Sequence, residues 1–296
     1  GIAHLRLCLR LSIRLRRREA WRFTDTGHLE AVEWAPAPSP AAVPEAVLDR
    51  WRLPEAHLVV TVNGRPAPSL SDAHPLPGSV RITNLAKALA TDGELLEAHL
   101  GRHTPVGDHP FAALNTALFD DATVIQLGAG VAPDRPLQIL HLATAEGGPG
   151  VCFPRLLVVA GPGARGALVE SYASLGGDTL TVPVTELILA DDAHLDHVRL
   201  QEEALSANHL AVQGSHQGRD SKLSSHAVSF GAALARSDIT AVLEGEGAEA
   251  VLDGLYLTSE RQHTDTHLTV RHASPHTSSR ELYKGILDGR SRGGDR

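Results

Sequence analysis

Three residues in one short run have types and a spacing that could bind a metal ion. His263, Asp265 and His267 stand at i, i+2 and i+4, so on a strand they share one face. Two neutral imidazoles and a carboxylate suit zinc or iron, and His272 and His276 follow closely. The chain holds 17 histidines, however, with His4, His28, His57, His99, His103, His141, His194, His197, His209, His216 and His226 among them. Histidine is thus used freely on strands and turns, and a solvent-facing or intra-sheet hydrogen-bonding role is preferred for the cluster. Metal ligation by His263, Asp265 and His267 is kept as the alternative, in a β-helix metalloenzyme.

Other chemistry-bearing motifs are weaker. Residues 161 to 166, Gly-Pro-Gly-Ala-Arg-Gly, match the dinucleotide fingerprint GxGxxG, which works only where a helix N-terminus follows to hold the pyrophosphate. Here the next residues, ALVESYAS, alternate like a strand, so the match is a decoy. No GxxxxGK[ST] phosphate loop occurs, which removes the usual machinery of ATP hydrolysis. Cys152 has no sequence-near His or Lys to lower its pKa and reads as structural. The acid clusters Arg199 to Glu203 (RLQEE) and Glu244 to Glu249 (EGEGAE) could serve glycoside hydrolysis, making a carbohydrate-active enzyme a second form of the alternative. Solvated turns explain them as well, and 4% aromatic residues is little for a sugar-stacking groove.

These residues must be positioned by short strands. Beyond about residue 122, apolar and β-branched runs recur, closed by Gly, Asp, Asn or Ser. They are Thr123 to Leu127, Leu137 to Leu142, Arg155 to Ala160, Ala167 to Ser174, Thr181 to Ala190 and His194 to Gln201. Then come His209 to Gly214, Lys222 to Phe230, Ser237 to Leu243, Ala250 to Leu257, His263 to Arg271 and Arg280 to Leu287. Starts about 12 to 15 residues apart fit a sandwich, barrel or strand solenoid. The abundance of Ala, Ser, Thr and Gly leans toward a solenoid, whose stacked coils bury ladders of small and aliphatic side chains. The first third is broken by proline, as in APAPSPAAVP at Ala35 to Pro44, which excludes long helices there. A modest helix is expected over Asn84 to Leu100 from its leucine stripe, and a short one over Pro110 to Phe119. The chain divides into a helical and loop-rich region, 1–110, and a β core, 111–296.

With 296 residues the chain can bury a sizeable core. A net charge of -8 argues against nucleic acid as a partner, since counterion release needs a basic face. No run of 18 apolar residues exists to span a bilayer. Two cysteines, Cys8 and Cys152, are too few for a disulfide framework and fit a reducing cytoplasm. The Arg-rich leader, Arg6 to Arg22, reads as a solvated first helix or as mistranslated upstream sequence in preference to a targeting segment.

Several segments in order resemble one family. EAWRFTD at Glu19 to Asp25 and NTALF at Asn115 to Phe119 come first. Arg155 to Val159, Glu170 and Tyr172, Ser237-Asp238, and Leu252 to Leu257 (LDGLYL) follow. The strongest piece joins His263-x-Asp265, His272-x-x-Pro275, Ser279, Leu282 to Leu287 (LYKGIL) and Ser291-Arg292. Together they resemble the SufB/SufD family of the SUF iron-sulfur cluster assembly system, the SufD type more than the SufB type. The resemblance implies a mostly β fold, with a right-handed parallel β-helix core preceded by a small helical N-terminal region. It also implies a non-catalytic scaffold that pairs with a SufB-type paralogue and works with a SufC-type ATPase. An iron-sulfur cluster would then belong to the assembled complex, with none bound by this chain alone. The family continues beyond Ser291-Arg292 into more strands, an interface histidine and the ATPase-docking helices. The chain is therefore expected to be C-terminally truncated, and neither His263 nor His267 takes that histidine's place.

Overall fold

The computed structural model describes residues 19–38, 43–72, 76, 78–104, 107 and 109–295. Most of the Arg-rich leader, Arg6 to Arg18, lies outside them. Within them the chain is mostly β, a solenoid of about six turns with a small helical region at its N-terminal side. No helix among the described residues is long and apolar enough to cross a membrane.

Successive coils build two sheets. One carries, in order, Val80–Asn84, Thr123–Leu127, Arg155–Ala160, Val184–Leu189, Asn208–Gln217, Leu234–Leu243, His263–His272 and Arg292–Asp295. The other carries His57–Val62, Leu137–Ala143, Arg165–Ser174, His194–Glu202, Lys222–Ser229, Glu249–Thr258 and Ser278–Leu287. Apart from Val80–Asn84, each of these strands pairs in parallel with the strand one coil away, as in Leu234↔His263 and Glu249↔Ser278. Antiparallel pairs occur at the N-terminal end, between Val80–Asn84 and Thr123–Leu127 and between His57–Val62 and Arg65–Pro66. Two strands of the proline-broken first third, His57–Val62 and Val80–Asn84, thus extend the sheets.

The corners explain the false dinucleotide fingerprint. Gly163 adopts φ 65°, and the equivalent corners use Asp192 at 59° and Asp220 at 52°, a left-handed conformation that glycine and, less readily, aspartate adopt. The Gly163 amide donates to Asp191 O at 2.9 Å, and the Asp192 amide to Arg219 O at 2.8 Å. These glycines therefore turn one sheet into the other, and a strand follows at Arg165–Ser174.

Two expectations need correction. The single helix over Asn84 to Leu100 is two, Leu85–Thr91 and Gly93–His99. Asp92 leaves the helical region at φ -138°, and its carboxylate turns to Arg81 and to the Thr91 hydroxyl. The run Thr181 to Ala190 is likewise split into Thr179–Thr181 and Val184–Leu189. Pro183 lies in the gap and has no amide to give to a ladder. The helix expected over Pro110 to Phe119 is present as Pro110–Leu118.

The outer face of the first sheet is covered by the N-terminal region. Trp21, Leu29, Trp34, Phe111 and Leu114 pack on Val182, Val184, Leu210, Val212 and Leu234. Between the sheets, Leu137, Ile139, Leu156, Val158, Leu168, Leu187 and Leu195 form a second cluster. Near the C-terminal coils the filling changes to tyrosine set against glycine. Gly254 pairs with Tyr283, and Tyr256 with Gly285. A Cβ on Gly254 would lie 2.1 Å from the Tyr283 ring, and one on Gly285 would lie 2.3 Å from Tyr256. The glycines of LDGLYL and LYKGIL are thus the recesses into which neighbouring tyrosines lie.

Gly254→Val should therefore destabilise the fold by about 1–3 kcal/mol through overpacking, read as a lower urea midpoint. A double-mutant cycle with Tyr283→Ala should show that the two positions couple.

Candidate functional site

His263, Asp265 and His267 lie on strand His263–His272, on the face of the first sheet that meets the N-terminal region. They share a face, as their spacing predicts, but their contacts run outward to different partners. Asp265 is 2% exposed; its carboxylate accepts from the Arg236 guanidinium and from the Thr24 hydroxyl. His267 Nδ1 lies 3.9 Å from Asp238. Among the described residues, no group of three or more His, Cys, Asp or Glu side chains is placed to hold a metal ion.

Arg236 is the centre of this site. Its Nε and Nη2 donate to the two Asp238 carboxylate oxygens at 2.8 and 2.6 Å, and Nη1 donates to Thr24 Oγ1 at 3.1 Å. The guanidinium carbon stands 3.9 Å from the centroid of the Trp21 ring, a cation–π contact strengthened by desolvation. On the other side, His109 Nδ1 accepts the Ala112 amide at 3.3 Å, which leaves the ring proton on Nε2. That nitrogen faces Asp238 at 3.0 Å. Burial pushes the Asp238 carboxyl up, but its bonds to His109 and Arg236 outweigh this and hold it at about 2. Thr24 of EAWRFTD thereby meets Asp265 of His263-x-Asp265, 241 residues away, and Trp21 meets the Arg236 that joins them.

A second set of ionisable groups fills the space between the sheets. Glu170 accepts the Tyr172 hydroxyl, the Thr185 hydroxyl at 2.6 Å and His197 Nε2 at 3.0 Å. His197 Nδ1 is bonded to Ser225 Oγ at 3.0 Å, and Gln213 Nε2 donates to the same oxygen at 3.2 Å. Burial acts to raise Glu170, yet the His197 bond and charge, His141 and Thr185 prevail and leave it at about 2. His141 stacks on Tyr172 with centroids 4.8 Å apart, and burial depresses it to about 4 against the pull of Glu170.

Further along, Glu203 accepts the Thr181 hydroxyl at 2.5 Å and Gln201 Nε2 at 3.1 Å, with His209 Nδ1 at 2.7 Å. Glu203 is therefore interior, and a solvated-turn reading of RLQEE is corrected for this residue. Alternation of strand His194–Glu202 points Arg199 and Gln201 inward and Glu202 outward. The second acid cluster behaves as a turn should, with Glu244 and Glu246 exposed. Cys152 is buried, and burial, partly opposed by its contact with Thr181, pushes the thiol up to about 12; it is no nucleophile at neutral pH.

A third set joins the helix Pro110–Leu118 to the sheet. Arg155 donates to Glu186 at 2.5 Å and to Asn115 and Thr116 at 3.2 Å each. Asn115 donates to the carbonyls of Pro154 and Val182 at 2.9 and 2.8 Å. Sequence reasoning singled out Asn115, Arg155, Glu170, Tyr172 and Asp238 as signature residues but assigned them no contacts. It missed Arg236, Glu186, His141 and His197 as network members. The available signal was a charged or polar residue inside an otherwise apolar strand, a placement that requires a partner.

Comparison with known proteins matches the chain along its described length. Residues 16–139 match the model for the SufBD protein N-terminal region, and residues 141–294 that for the SUF system FeS cluster assembly SufBD core domain. Over 290 residues it is 30% identical to the iron-sulfur cluster assembly SufBD family protein slr0076 of Synechocystis, covering 94% of this chain and 64% of that protein. It is 25% identical to the iron-sulfur cluster assembly protein SufD of Escherichia coli, covering 98% of this chain and 66% of the relative. The chloroplastic SufBD family protein ABCI8 of Arabidopsis thaliana is 28% identical, over 71% of this chain and 39% of its own length. The chain thus spans at most about two thirds of each of these relatives.

Arg236→Met should cost about 3–5 kcal/mol, because it strands the Asp238 and Asp265 carboxylates in a buried site. Arg81→Met, which opens a solvent-screened pair with Asp92, should cost far less; denaturant midpoints distinguish the two. Acid should act in two stages. A depressed histidine such as His141 binds its proton in the unfolded chain first, so stability falls as pH drops from an ordinary 6.5 toward about 4. Glu170 and Asp238 then withdraw their contributions as pH falls from the ordinary carboxylate range to about 2. Circular dichroism from pH 7 to 2 should show both stages, with Glu170→Gln weakening the second.

Proposed function

The chain belongs to the SufBD family of the SUF system, and on that premise we propose that it serves iron-sulfur cluster assembly as a non-catalytic scaffold subunit. It pairs with a SufB-type paralogue, works beside a SufC-type ATPase in the cytoplasm, and carries no cluster by itself. A cluster is built on the assembled complex and is cargo rather than a resident group of this chain. The domain division into a helical and loop-rich region over 1–110 and a core over 111–296 is part of the same reading.

The observation that carries it is how the buried ionisable groups are used. Glu170, Glu203, Asp238 and Asp265 are each bound by two or more side chains. Carboxylates saturated with donors suit rigidity better than proton transfer. On the outer face of the second sheet, by contrast, Leu255, Leu257, Leu282 and Ile286 are 36–60% exposed. Outward alternation along strands Glu249–Thr258 and Ser278–Leu287 puts them on one face, Leu257 opposite Ile286, with Lys284 opposite Leu255 and Asp253 opposite Leu282, and exposed apolar surface rimmed by charge supports docking by a partner.

Co-expression of a full-length version with SufB-type and SufC-type proteins from the same source tests this. The expected result is one complex on size exclusion, weakened at least tenfold in affinity by Leu255→Lys with Leu282→Lys. A folded full-length chain that binds neither protein would overturn the proposal.

A further inference from the structure

Away from the clamp and the interior network, three imidazoles gather on the outer face of the first sheet. His99 ends the helix Gly93–His99, His103 follows in the next turn, and His216 comes from strand Asn208–Gln217. His99 Nδ1 and His103 Nε2 are 3.2 Å apart. The His99 and His103 ring centroids are 5.5 Å apart, and those of His103 and His216 are 4.8 Å apart. Two nitrogens bound at roughly 2.0–2.1 Å to one tetrahedral zinc ion lie about 3.3 Å from each other. His99 and His103 already have that separation.

The turn that carries His103 is fixed independently of its ring. The amides of Gly101 and His103 donate to the two Glu186 carboxylate oxygens at 2.8 and 2.9 Å. The His103 carbonyl rests directly over Gly214, where a Cβ would approach it to 2.1 Å. His216 lies two residues beyond Gly214 on the same sheet face, and its Nε2 is engaged by the Glu244 carboxylate. A carboxylate on one imidazole nitrogen leaves the other to ligate and raises its basicity, the usual support of a metal-bound histidine. No three ligands yet surround one point, so His216, whose side chain is 30% exposed, must turn to complete the set.

We infer that His99 and His103 chelate a single divalent transition-metal ion, zinc-like in its preferences, with His216 as third ligand and Glu244 orienting it. The ion would staple the turn after the helix Gly93–His99 to the strand Asn208–Gln217. This site is separate from His263, Asp265 and His267 and does not depend on the proposed partners.

Titration of the full chain with zinc chloride by calorimetry, and with copper(II) followed by pulsed electron paramagnetic resonance, tests it. The expected result is one ion per chain, two or three imidazoles on copper, and a thermal midpoint raised by zinc. His99→Gln and His103→Gln should each weaken zinc at least tenfold, and Glu244→Gln about tenfold, whereas His272→Gln should leave it unchanged. The backbone anchoring on Glu186 should keep these variants folded, which circular dichroism checks. Saturable zinc binding of equal strength in the His99→Gln/His103→Gln double variant would overturn the inference. So would no binding up to millimolar zinc, or fewer than two imidazoles on copper; the last two would leave only an imidazole–imidazole hydrogen bond.

Discussion

The buried guanidinium of Arg236 constrains how the rest of the molecule is arranged. A cation with a side chain 1% exposed is tolerated only if its charge and its donors are met on all sides. Asp238 supplies this within the strand, Asp265 from the next coil, and Thr24 and Trp21 from the N-terminal segment. Coil spacing, side-chain alternation and the path of the N-terminal segment must all be right together for that to happen. The clamp gains little net stability over an apolar packing of the same volume, but it penalises wrong registers, because each would leave a charge without a counterpart.

Much of the solenoid was legible in the sequence, for a reason visible in its strands. Runs such as Thr123–Leu127 and Arg155–Ala160 are bounded by turn residues and contain no competing signal, so their limits match. Strands Asn208–Gln217 and Leu234–Leu243 start earlier than their apolar patterns suggest, because Asn208, Arg236 and other polar residues belong to the ladder. Periodicity of hydrophobicity cannot register a polar residue whose partner comes from another coil. The strands His57–Val62 and Val80–Asn84 were hidden by the prolines around them, which forbid helix but permit a strand at a sheet end.

The site was legible in part. That His263, Asp265 and His267 share a face follows from strand period alone, and the structure keeps that face. What they touch is not local: Thr24 is 241 residues from Asp265, and no spacing rule reaches so far. Aspartate and histidine at alternate positions look the same in sequence whether they meet a metal ion or a guanidinium. The distinguishing feature is Arg236, and in sequence an arginine between alanine and serine resembles an ordinary surface residue.

Burial of charge and exposure of apolar surface are linked here by the same strand alternation. Inward positions of the second sheet carry Glu170, His197 and Arg199, and each gains partners that a free surface could not supply. Outward positions of the later coils carry Leu255, Leu257, Leu282 and Ile286, whose contact area is left to solvent. The inward positions thus combine aliphatic side chains such as Ile139, Leu168 and Leu195 with these partnered ionisable groups. The stack therefore spends its buried polar groups on internal rigidity and leaves aliphatic side chains among charged ones on one outer face. Each coil adds an outward row at the fixed spacing of neighbouring strands, and the residue types of that row can change without any change to the interior.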